Sequence, residues 1–217
     1  MKTASMLAKY SPGYPGANAV ARSWFDVTSI RLFDIFFSGA GLLCTAPLFL
    51  IIAAAIYAHD RRPVFFFQER LGQGRKPFRI IKFRTMTWSA CGNRAGAWAT
   101  DEDPRVTGVG KVLRRYHLDE LPQLVNVLLG SMSLVGPRPF RASVHAAIVE
   151  IEPRWDLRLE YKPGLTGFAQ VSVDKGSTLE GHAAKIDQDL EMKNLTLASY
   201  FKILFRTPFK VIAGTSH

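Results

Sequence analysis

Two adjacent acids, Asp119 and Glu120, are the residues of this chain best placed to do chemistry. They lie in YHLDELPQLVNVLLG (residues 116–130), at the head of an apolar run with helical spacing. Pro122 is tolerated in the first turn of a helix and disfavoured in its interior, so both carboxylates are predicted at or just before a helix N-terminus. The helix dipole there favours the ionised form. Capping is the ordinary role of such an acid, but two adjacent acids cannot both cap one helix.

Arginines flank the acid pair in the sequence. Arg114 and Arg115 lie about one turn upstream, and Arg138 lies in GPRP, where two prolines restrict its backbone. A rigidly held guanidinium is well suited to binding a phosphate through two hydrogen bonds. The pattern therefore favours a site in which carboxylates meet a phosphorylated ligand.

The composition is that of a basic protein with one sizeable core. The chain has 217 residues, a formal net charge of +10 and a pI of about 9.9. These values predict a single domain and an anionic partner, which could be nucleic acid, phospholipid headgroups or a phosphorylated substrate. The basic residues crowd into residues 61–84 and 105–115. No recognised nucleic-acid-binding module accompanies them, so nucleic acid ranks low and anionic lipid is a sufficient explanation.

Cysteine and histidine usage argues against disulfides and zinc. The two cysteines, Cys44 and Cys91, do not form a disulfide framework, and reduced thiols are the simpler interpretation. The five histidines are scattered without metal-ligand spacing.

A membrane segment is predicted over residues 35–58, which contain no charged side chain. The segment exceeds the roughly 20 apolar residues that span a bilayer core. Pro47 near its middle should kink or break a helix, and Thr45 is a local candidate partner for the freed backbone groups. Basic residues lie at both ends, so a single span would place one basic end on the wrong side of the membrane. A re-entrant helix-break-helix is slightly favoured over a kinked span, and the two remain open.

The domain organisation follows from these segments. We predict a flexible arm over residues 1–30, the membrane segment over 31–60 and a catalytic body over 61–217. Near the C-terminus, Lys202, Arg206 and Lys210 fall four apart beside aromatic residues. This stripe suits a helix in the lipid headgroup layer, and an ordinary solvated helix is about as good an interpretation. Pro208 is expected to limit that helix.

The body is predicted to be α+β and mostly helical. Residues 64–86 read as strand, Gly-rich turn at 72–76, and strand. Residues 143–161 look helical, and residues 161–173 look like a loop followed by a strand, with Gly164 and Gly167 as hinges.

Four motifs together resemble a known family. RLFDIFF…AP, PVFFFQERLGQGRKPFRIIKFRTM, DPRVTGVGKVLRRYHLDELPQLVNVLLGSMSLVGPRP and KPGLTGFAQV occur in order between residues 31 and 209. The chain resembles the bacterial sugar transferases, the monotopic polyprenyl-phosphate phosphoglycosyl transferases. The resemblance implies a re-entrant membrane segment in the inner membrane, with the bend at Pro47, and catalysis at the cytoplasmic face.

The same resemblance implies a reaction and roles. Phosphosugar would pass from a UDP-sugar to undecaprenyl phosphate with release of UMP, as the initiating step of exopolysaccharide, capsule, O-antigen or glycoprotein glycan assembly. Asp119 would be the nucleophile that forms a covalent phosphosugar intermediate, and Glu120 would hold Mg²⁺. Arg114 and Arg138 would bind substrate phosphate. The resemblance leaves open whether the chain forms a homodimer.

The sequence also departs from the family pattern. Ala46 replaces the Ser that precedes the membrane proline in many relatives, and Phe168 replaces a Trp. In DQDLEMKNLT, Gln188 and Glu191 stand where relatives carry Asp and Tyr, with Asp187 and Asp189 on either side of Gln188. This segment would shape the sugar pocket, so the sugar is not predicted.

Three other functions compete with the transferase. They are a membrane-bound UDP-sugar hydrolase, a catalytically silent membrane scaffold and a nucleic-acid binder. The acid pair and both arginines argue against the scaffold.

Overall fold

The computed structural model describes residues 24–88, 103–172 and 178–212. The predicted arm lies outside the described residues as far as residue 23. Residues 24–30 are already helical and Ile30 is buried, so the helix begins earlier than expected.

A single long helix, α1 (Trp24–Asp60), covers the predicted membrane segment. Its stretch Val27–His59 is long and apolar enough to cross a membrane, and just 11% of its most apolar window is buried against the protein. That exposure is unlike the core helix of a soluble protein. Helical structure continues through Pro47, so the predicted break does not interrupt the helix. The Thr45 hydroxyl donates to the Gly41 carbonyl at 2.6 Å, not to the Leu43 carbonyl that Pro47 leaves without its usual donor.

Both ends of α1 pack against the body. Near its start, Asp34 and Ser38 are buried. Near its end, Ile52 and Ile56 are buried in a cluster that includes Phe83 of the body. Between these regions Leu42, Leu48 and Phe49 pack against the body, whereas Leu43 is 79% exposed. The helix therefore lies along the body on one face and leaves its other apolar face uncovered.

The predicted hairpin is confirmed. Strands β1 (Phe65–Leu71) and β2 (Pro77–Phe83) pair antiparallel, with Phe65 opposite Phe83 and Leu71 opposite Pro77. A 3₁₀ turn, Gln73–Arg75, joins them, and Gly74 has φ +63. That left-handed conformation is the one that glycine adopts without cost.

Two helices and a 3₁₀ turn carry the acid pair. Helix α2 (Gly108–Arg115) starts at Thr107, whose hydroxyl accepts a hydrogen bond from the Gly110 amide at 2.9 Å. The 3₁₀ turn Leu118–Glu120 and helix α3 (Gln123–Leu129) follow. Strand β3 (Ser133–Val135) comes next and pairs in parallel with β4 (Gly164–Thr166).

Two sequence predictions in the second half need correction. The helix predicted over residues 143–161 is α4 (Ala142–Ile151) followed by a 3₁₀ segment, Pro153–Glu160. The strand predicted after the Gly-rich loop is helix α5 (Phe168–Ser172). Its sequence FAQVS mixes strand-favouring Phe168 and Val171 with the helix formers Ala169 and Gln170, and the packing of Phe168 and Val171 on the core accompanies the helix.

Gly164 and Gly167 are contact points and not hinges. A Cβ on Gly164 would lie 2.0 Å from the Gly136 amide nitrogen, and one on Gly167 would lie 2.2 Å from the Gly136 carbonyl oxygen. Glycine is required at these positions because two backbones touch. The rigid crossing fixes the loop that carries Arg138.

The remaining helices complete a mostly helical α+β body, as predicted. They are α6 (Leu179–Ala183), α7 (Ile186–Leu190), a 3₁₀ turn (Glu191–Asn194) and α8 (Leu197–Ile212). Helix α8 continues through Pro208, which was expected to limit it. Lys202 and Arg206 are exposed beside Phe205 and Phe209, which are 72% and 75% exposed. The side chain of Lys210 lies outside the described residues.

Candidate active site

The acid pair lies in a tight turn between α2 and α3. His117 takes a left-handed conformation with φ +53, which reverses the chain after α2. The Glu120 amide then donates to the His117 carbonyl at 3.2 Å. Asp119 and Glu120 are 8% and 9% exposed. The sequence prediction that both acids precede a helix is confirmed, and both are more deeply buried than surface capping residues are.

Two cations hold Glu120. Lys82 Nζ of β2 lies 2.6 Å from Glu120 Oε1, and Arg138 Nη2 lies 2.8 Å from the same oxygen. Arg138 Nη1 lies 3.4 Å from Oε2. These charge-assisted contacts join the hairpin, the acid turn and the loop after β3.

Asp119 has weaker compensation than its neighbour. Its Oδ2 lies 3.8 Å from Lys82 Nζ. Burial raises the pKa of the Asp119 carboxyl, and the adjacent Glu120 charge adds to this, while Lys82, Arg114 and Arg138 act in the opposite direction. The prediction that a helix end keeps Asp119 ionised is therefore not the main account; nearby cations do this, against burial.

The pKa of Glu120 shifts in the opposite direction from that of Asp119. Burial alone would raise its pKa, but the charges of Arg138 and Lys82 outweigh burial and lower it. The site thus holds one carboxylate that is firmly ionised and a second that is desolvated and reactive. Such a divergence between two adjacent acids is characteristic of catalytic sites.

Arg114 stands behind the acids and does not contact them directly. Its Nε donates to the Thr85 hydroxyl at 3.0 Å, and its charge lowers the pKa of Asp119. The structure therefore brings together Asp119, Glu120 and Arg138, with Arg114 close by. Pro47 is exposed on α1 and belongs to the membrane segment.

Lys82 is the site residue that sequence reasoning missed. It was counted with the basic run of residues 61–84, yet it stands between the apolar residues Ile81 and Phe83 of β2 and its side chain is 20% exposed. A lysine between two large apolar residues of a strand was the available signal, because a largely buried ammonium needs an acidic partner.

Positive charge is in excess around Arg138. Arg70 donates to the Pro139 carbonyl at 3.4 Å and to the Gln68 side chain at 2.6 Å. Burial lowers the pKa of Arg70 to about 10, and repulsion from Arg138 and Arg141 contributes. Three guanidinium groups in one region favour an anionic ligand.

A second, buried ion pair lies behind Arg138. Arg158 Nη2 is 2.7 Å from Asp189 Oδ2, and both side chains are 3% exposed. The Arg158 guanidinium packs over the rings of Trp155 and Phe140 at 4.0 and 5.0 Å. Arg158 also lines a narrow cleft. The other residues that line the cleft are Leu71, Gly72, Pro137, Arg138, Pro139, Phe140, Leu159, Tyr161 and Pro163. Asp189 of the divergent segment therefore supports the cleft.

Gln188 is partly buried, and its side-chain oxygen has no hydrogen-bond partner among the described residues, whereas Asp187 and Glu191 lie outward. Asp187 is 70% exposed on its side chain and pairs with Arg154 at 2.8 Å. Glu191 accepts a hydrogen bond from Asn194 at 3.1 Å.

The acid pair is compatible with a magnesium ion. Among the described residues no group of three or more His, Cys, Asp or Glu side chains could hold a metal. Mg²⁺ prefers oxygen ligands and usually keeps several waters and substrate oxygens, so one or two carboxylates are sufficient. Glu120 is the better ligand because its pKa is lowered and its Oε2 has only the long contact with Arg138 among the described residues.

Comparison with known proteins shows the family of the chain. The family model for bacterial sugar transferases matches residues 25–214. The chain belongs to the bacterial sugar transferase family. This sugar transferase is 38% identical over 188 residues to an exopolysaccharide production protein, PSS, of Rhizobium leguminosarum bv. phaseoli, covering 84% of the chain and 94% of that protein.

Two longer relatives carry more specific names. A UDP-glucose:undecaprenyl-phosphate glucose-1-phosphate transferase of Klebsiella pneumoniae is 41% identical over 183 residues, 83% of this sugar transferase and 39% of the relative. An Aeromonas hydrophila enzyme named for the transfer of N-acetylgalactosamine phosphate to undecaprenyl phosphate is 37% identical over 186 residues, 85% of the chain and 44% of the relative. The sugar transferase thus spans less than half of these two relatives.

Proposed function

We propose that this sugar transferase moves a phosphosugar from a UDP-sugar to a polyprenyl phosphate such as undecaprenyl phosphate, with Asp119 as the nucleophile. The observation that carries the proposal is the electrostatic division between two adjacent buried acids. Glu120 is neutralised by Lys82 and Arg138, whereas Asp119 is desolvated and lacks a close partner at hydrogen-bond distance among the described residues.

The chemistry takes two displacements at phosphorus. In the first, an Asp119 carboxylate oxygen attacks the sugar-bearing phosphorus of the donor, and the bond to the UMP oxygen breaks. In the second, a phosphate oxygen of the polyprenyl phosphate attacks the same phosphorus, and the aspartate oxygen leaves. The products are UMP and a polyprenyl diphosphate sugar, and the carboxylate is regenerated. A carboxylate that is already ionised needs no general base for either step.

The surrounding cations stabilise the charges that these steps create. Lys82 lies within 4 Å of both acids, so it acts on the nucleophile and on the incoming phosphoryl group. Arg70, Arg114 and Arg138 supply further positive charge for the donor diphosphate and the departing UMP. When bound, Mg²⁺ held by Glu120 would neutralise phosphate oxygens of the donor.

The family resemblance leads us to place α1 at the cytoplasmic face of the inner membrane, with both of its ends on one side of the bilayer. Asp34 and Ile56 both contact the body although they lie 22 residues apart, about 33 Å in a straight helix. A helix that crossed the membrane with this packing would bring the charged body into the hydrocarbon beside it. If α1 instead stays on the body's side of the bilayer, its exposed apolar face can enter the membrane while the body stays in water.

The relatives support a role in starting a glycan on its lipid carrier. Their names include transferases for glucose phosphate and for N-acetylgalactosamine phosphate, so the family likeness does not select one sugar. We propose that this protein catalyses the initiating step of exopolysaccharide or a related glycan, consistent with the name of the Rhizobium protein.

Capture of the covalent intermediate tests the proposal. The protein is incubated in detergent with UDP-sugars labelled in the sugar, quenched and digested. We expect added phosphosugar mass on the peptide that contains residues 118–121, and none in Asp119→Asn. Asp187→Asn is the matched control, because the same change is made at an exposed acid.

Two outcomes would contradict the proposal. Full turnover in Asp119→Asn would remove this residue from the nucleophile role. UMP formed equally fast without polyprenyl phosphate would favour a hydrolase.

A further inference from the structure

Arg31 on α1 binds the end of the helix that follows the acid pair. Its Nη1 donates to the Val127 carbonyl at 2.6 Å and its Nη2 to the Leu128 carbonyl at 2.8 Å. These carbonyls belong to the last turn of α3, where helix carbonyls lack donors four residues further on; the Gly130 amide also donates to the Val127 carbonyl, at 3.0 Å. Gly130 has φ +90 at this point, and a Cβ there would lie 3.2 Å from Arg31 Nη2. The glycine ends the helix and leaves room for the guanidinium.

Asp34, one turn later on α1, binds two other elements. Its Oδ1 accepts hydrogen bonds from the Ser133 hydroxyl at 3.1 Å, the Leu134 amide at 2.9 Å and the Tyr200 hydroxyl at 2.8 Å. Asp34 is 2% exposed and Tyr200 is fully buried. One carboxylate oxygen thus joins the membrane helix to β3 and α8.

These two side chains reach both arms of the active site. Helix α3 directly follows the turn that carries the acid pair, and β3 directly precedes the loop that carries Arg138. We call the five hydrogen bonds from Arg31 and to Asp34 the polar latch. The second contact between α1 and the body, around Ile56, is apolar and therefore lacks directional bonds. Of these two contacts, the polar latch is the one whose directional hydrogen bonds can fix the position of α1 along its axis and its tilt relative to the body.

We infer that Arg31 and Asp34 are positioning residues that set the height and orientation of the active site relative to the bilayer. The inference rests on the proposed function, because only its second displacement uses an acceptor that is embedded in the membrane. The donor arrives from water, so the first displacement depends on contacts within the body. Lys82 and Arg138 hold Glu120 without help from α1. Loss of the polar latch should therefore impair transfer to a bilayer acceptor selectively.

Three assays on the full chain separate these effects. The first is covalent capture of labelled phosphosugar in detergent without acceptor. The second is transfer to long-chain polyprenyl phosphate in lipid nanodiscs. The third is transfer to a short-chain, water-soluble prenyl phosphate, whose phosphate can approach the site without a defined depth.

We expect Arg31→Met and Asp34→Ala to leave capture and soluble transfer within about twofold of the parent protein. Transfer in nanodiscs should fall about 10- to 100-fold, the range expected when reactants are displaced by about 1 Å. Arg61→Met is the matched control, because Arg61 is exposed at the other end of α1. Asp34→Asn should retain more transfer than Asp34→Ala, because its amide oxygen can still accept two of the three hydrogen bonds.

The inference is overturned if nanodisc transfer is unchanged in both variants. It is also overturned if the rates in all three assays fall together in a variant whose unfolding temperature equals that of the parent protein. Should Asp34→Ala fail to fold, Tyr200→Phe removes a single hydrogen bond, and a selective loss of about three- to tenfold supports the latch. If Tyr200→Phe then gave the same rates as the parent protein in all three assays, the positioning role of the polar latch would be rejected. Failure of the proposed function is separate: the parent protein itself would give no covalent capture at Asp119.

Discussion

The two adjacent acids should respond to loss of charge with opposite changes in stability. The raised pKa of Asp119 means that the folded protein binds this proton more tightly than the unfolded chain does. At pH 7 the ionised carboxylate therefore opposes folding, and Asp119→Asn should raise the unfolding temperature. The pKa of Glu120 is lowered, so its charge stabilises the fold above the unfolded pKa near 4.5 and ceases to do so as pH falls. Glu120→Gln should lower the unfolding temperature.

The size of the Glu120 effect follows from its contacts. The change weakens charge-assisted contacts at 2.6 and 2.8 Å and leaves two cations with less compensation. Breaking a buried ion pair costs about 3–5 kcal/mol. The Arg138 side chain is 44% exposed, so solvent screens part of the loss and we expect about 2 kcal/mol. Since 1 kcal/mol corresponds to about 2–4 °C in a protein of this size, the unfolding temperature should fall by about 4–8 °C.

Thermal unfolding in detergent, followed by intrinsic fluorescence at pH 7.5 and pH 5, measures both effects. Glu160→Gln is the control, because Glu160 is exposed and a surface substitution should change stability by less than about 0.5 kcal/mol. The deficit of Glu120→Gln should persist at pH 5, still above the unfolded pKa of that residue. If Asp119→Asn destabilised the protein as much as Glu120→Gln, Asp119 would be a structural residue and the electrostatic account of the nucleophile would fail.

Three further changes test the site and its supports. In Lys82→Met, the pH below which covalent capture is lost should rise, because Lys82 lowers the pKa of the Asp119 nucleophile. Lys111→Met, at an exposed position, should leave the pH profile of capture unchanged. Gly164→Ala should lower the free energy of unfolding by about 3 kcal/mol or more, because its Cβ would lie 2.0 Å from a backbone nitrogen. Gly108→Ala is the control and should leave that free energy nearly unchanged, because its Cβ would have no neighbour within 4 Å. Arg158→Met leaves its acidic partner buried without a counter-charge, and chemical denaturation should show a loss of about 3 kcal/mol at pH 7.

The elements predicted correctly have strong local signals. The hairpin was recognisable because a glycine-containing turn separates two aromatic-rich runs, and Gly74 takes the left-handed conformation that such a turn needs. The acid turn was recognisable because Pro122 marks the start of a helix. The two prolines that flank Arg138 marked it as a candidate phosphate-binding residue, but its pairing with Glu120 was not predicted.

The elements predicted wrongly depend on contacts between distant segments. Residues 168–172 include the strand-favouring Phe168 and Val171, yet they form a helix in which both of these residues pack on the core. Gly164 and Gly167 look like hinges in a sequence, and only the backbone of Gly136 against them shows why they are glycine. The partner of Asp189 is 31 positions away in the chain and could not be predicted from local spacing. The segment that differs from relatives was therefore expected only to shape the sugar pocket, and its buried ion pair was not foreseen.

The polar latch has a consequence for the order of synthesis. Asp34 leaves the ribosome before its partners, because Ser133 follows 99 positions later and Tyr200 follows 166 positions later. The three hydrogen bonds to Asp34 therefore cannot all form until α8 has been made. A nascent chain that stops before α8 should be bound to the membrane yet more susceptible to added protease than the finished protein.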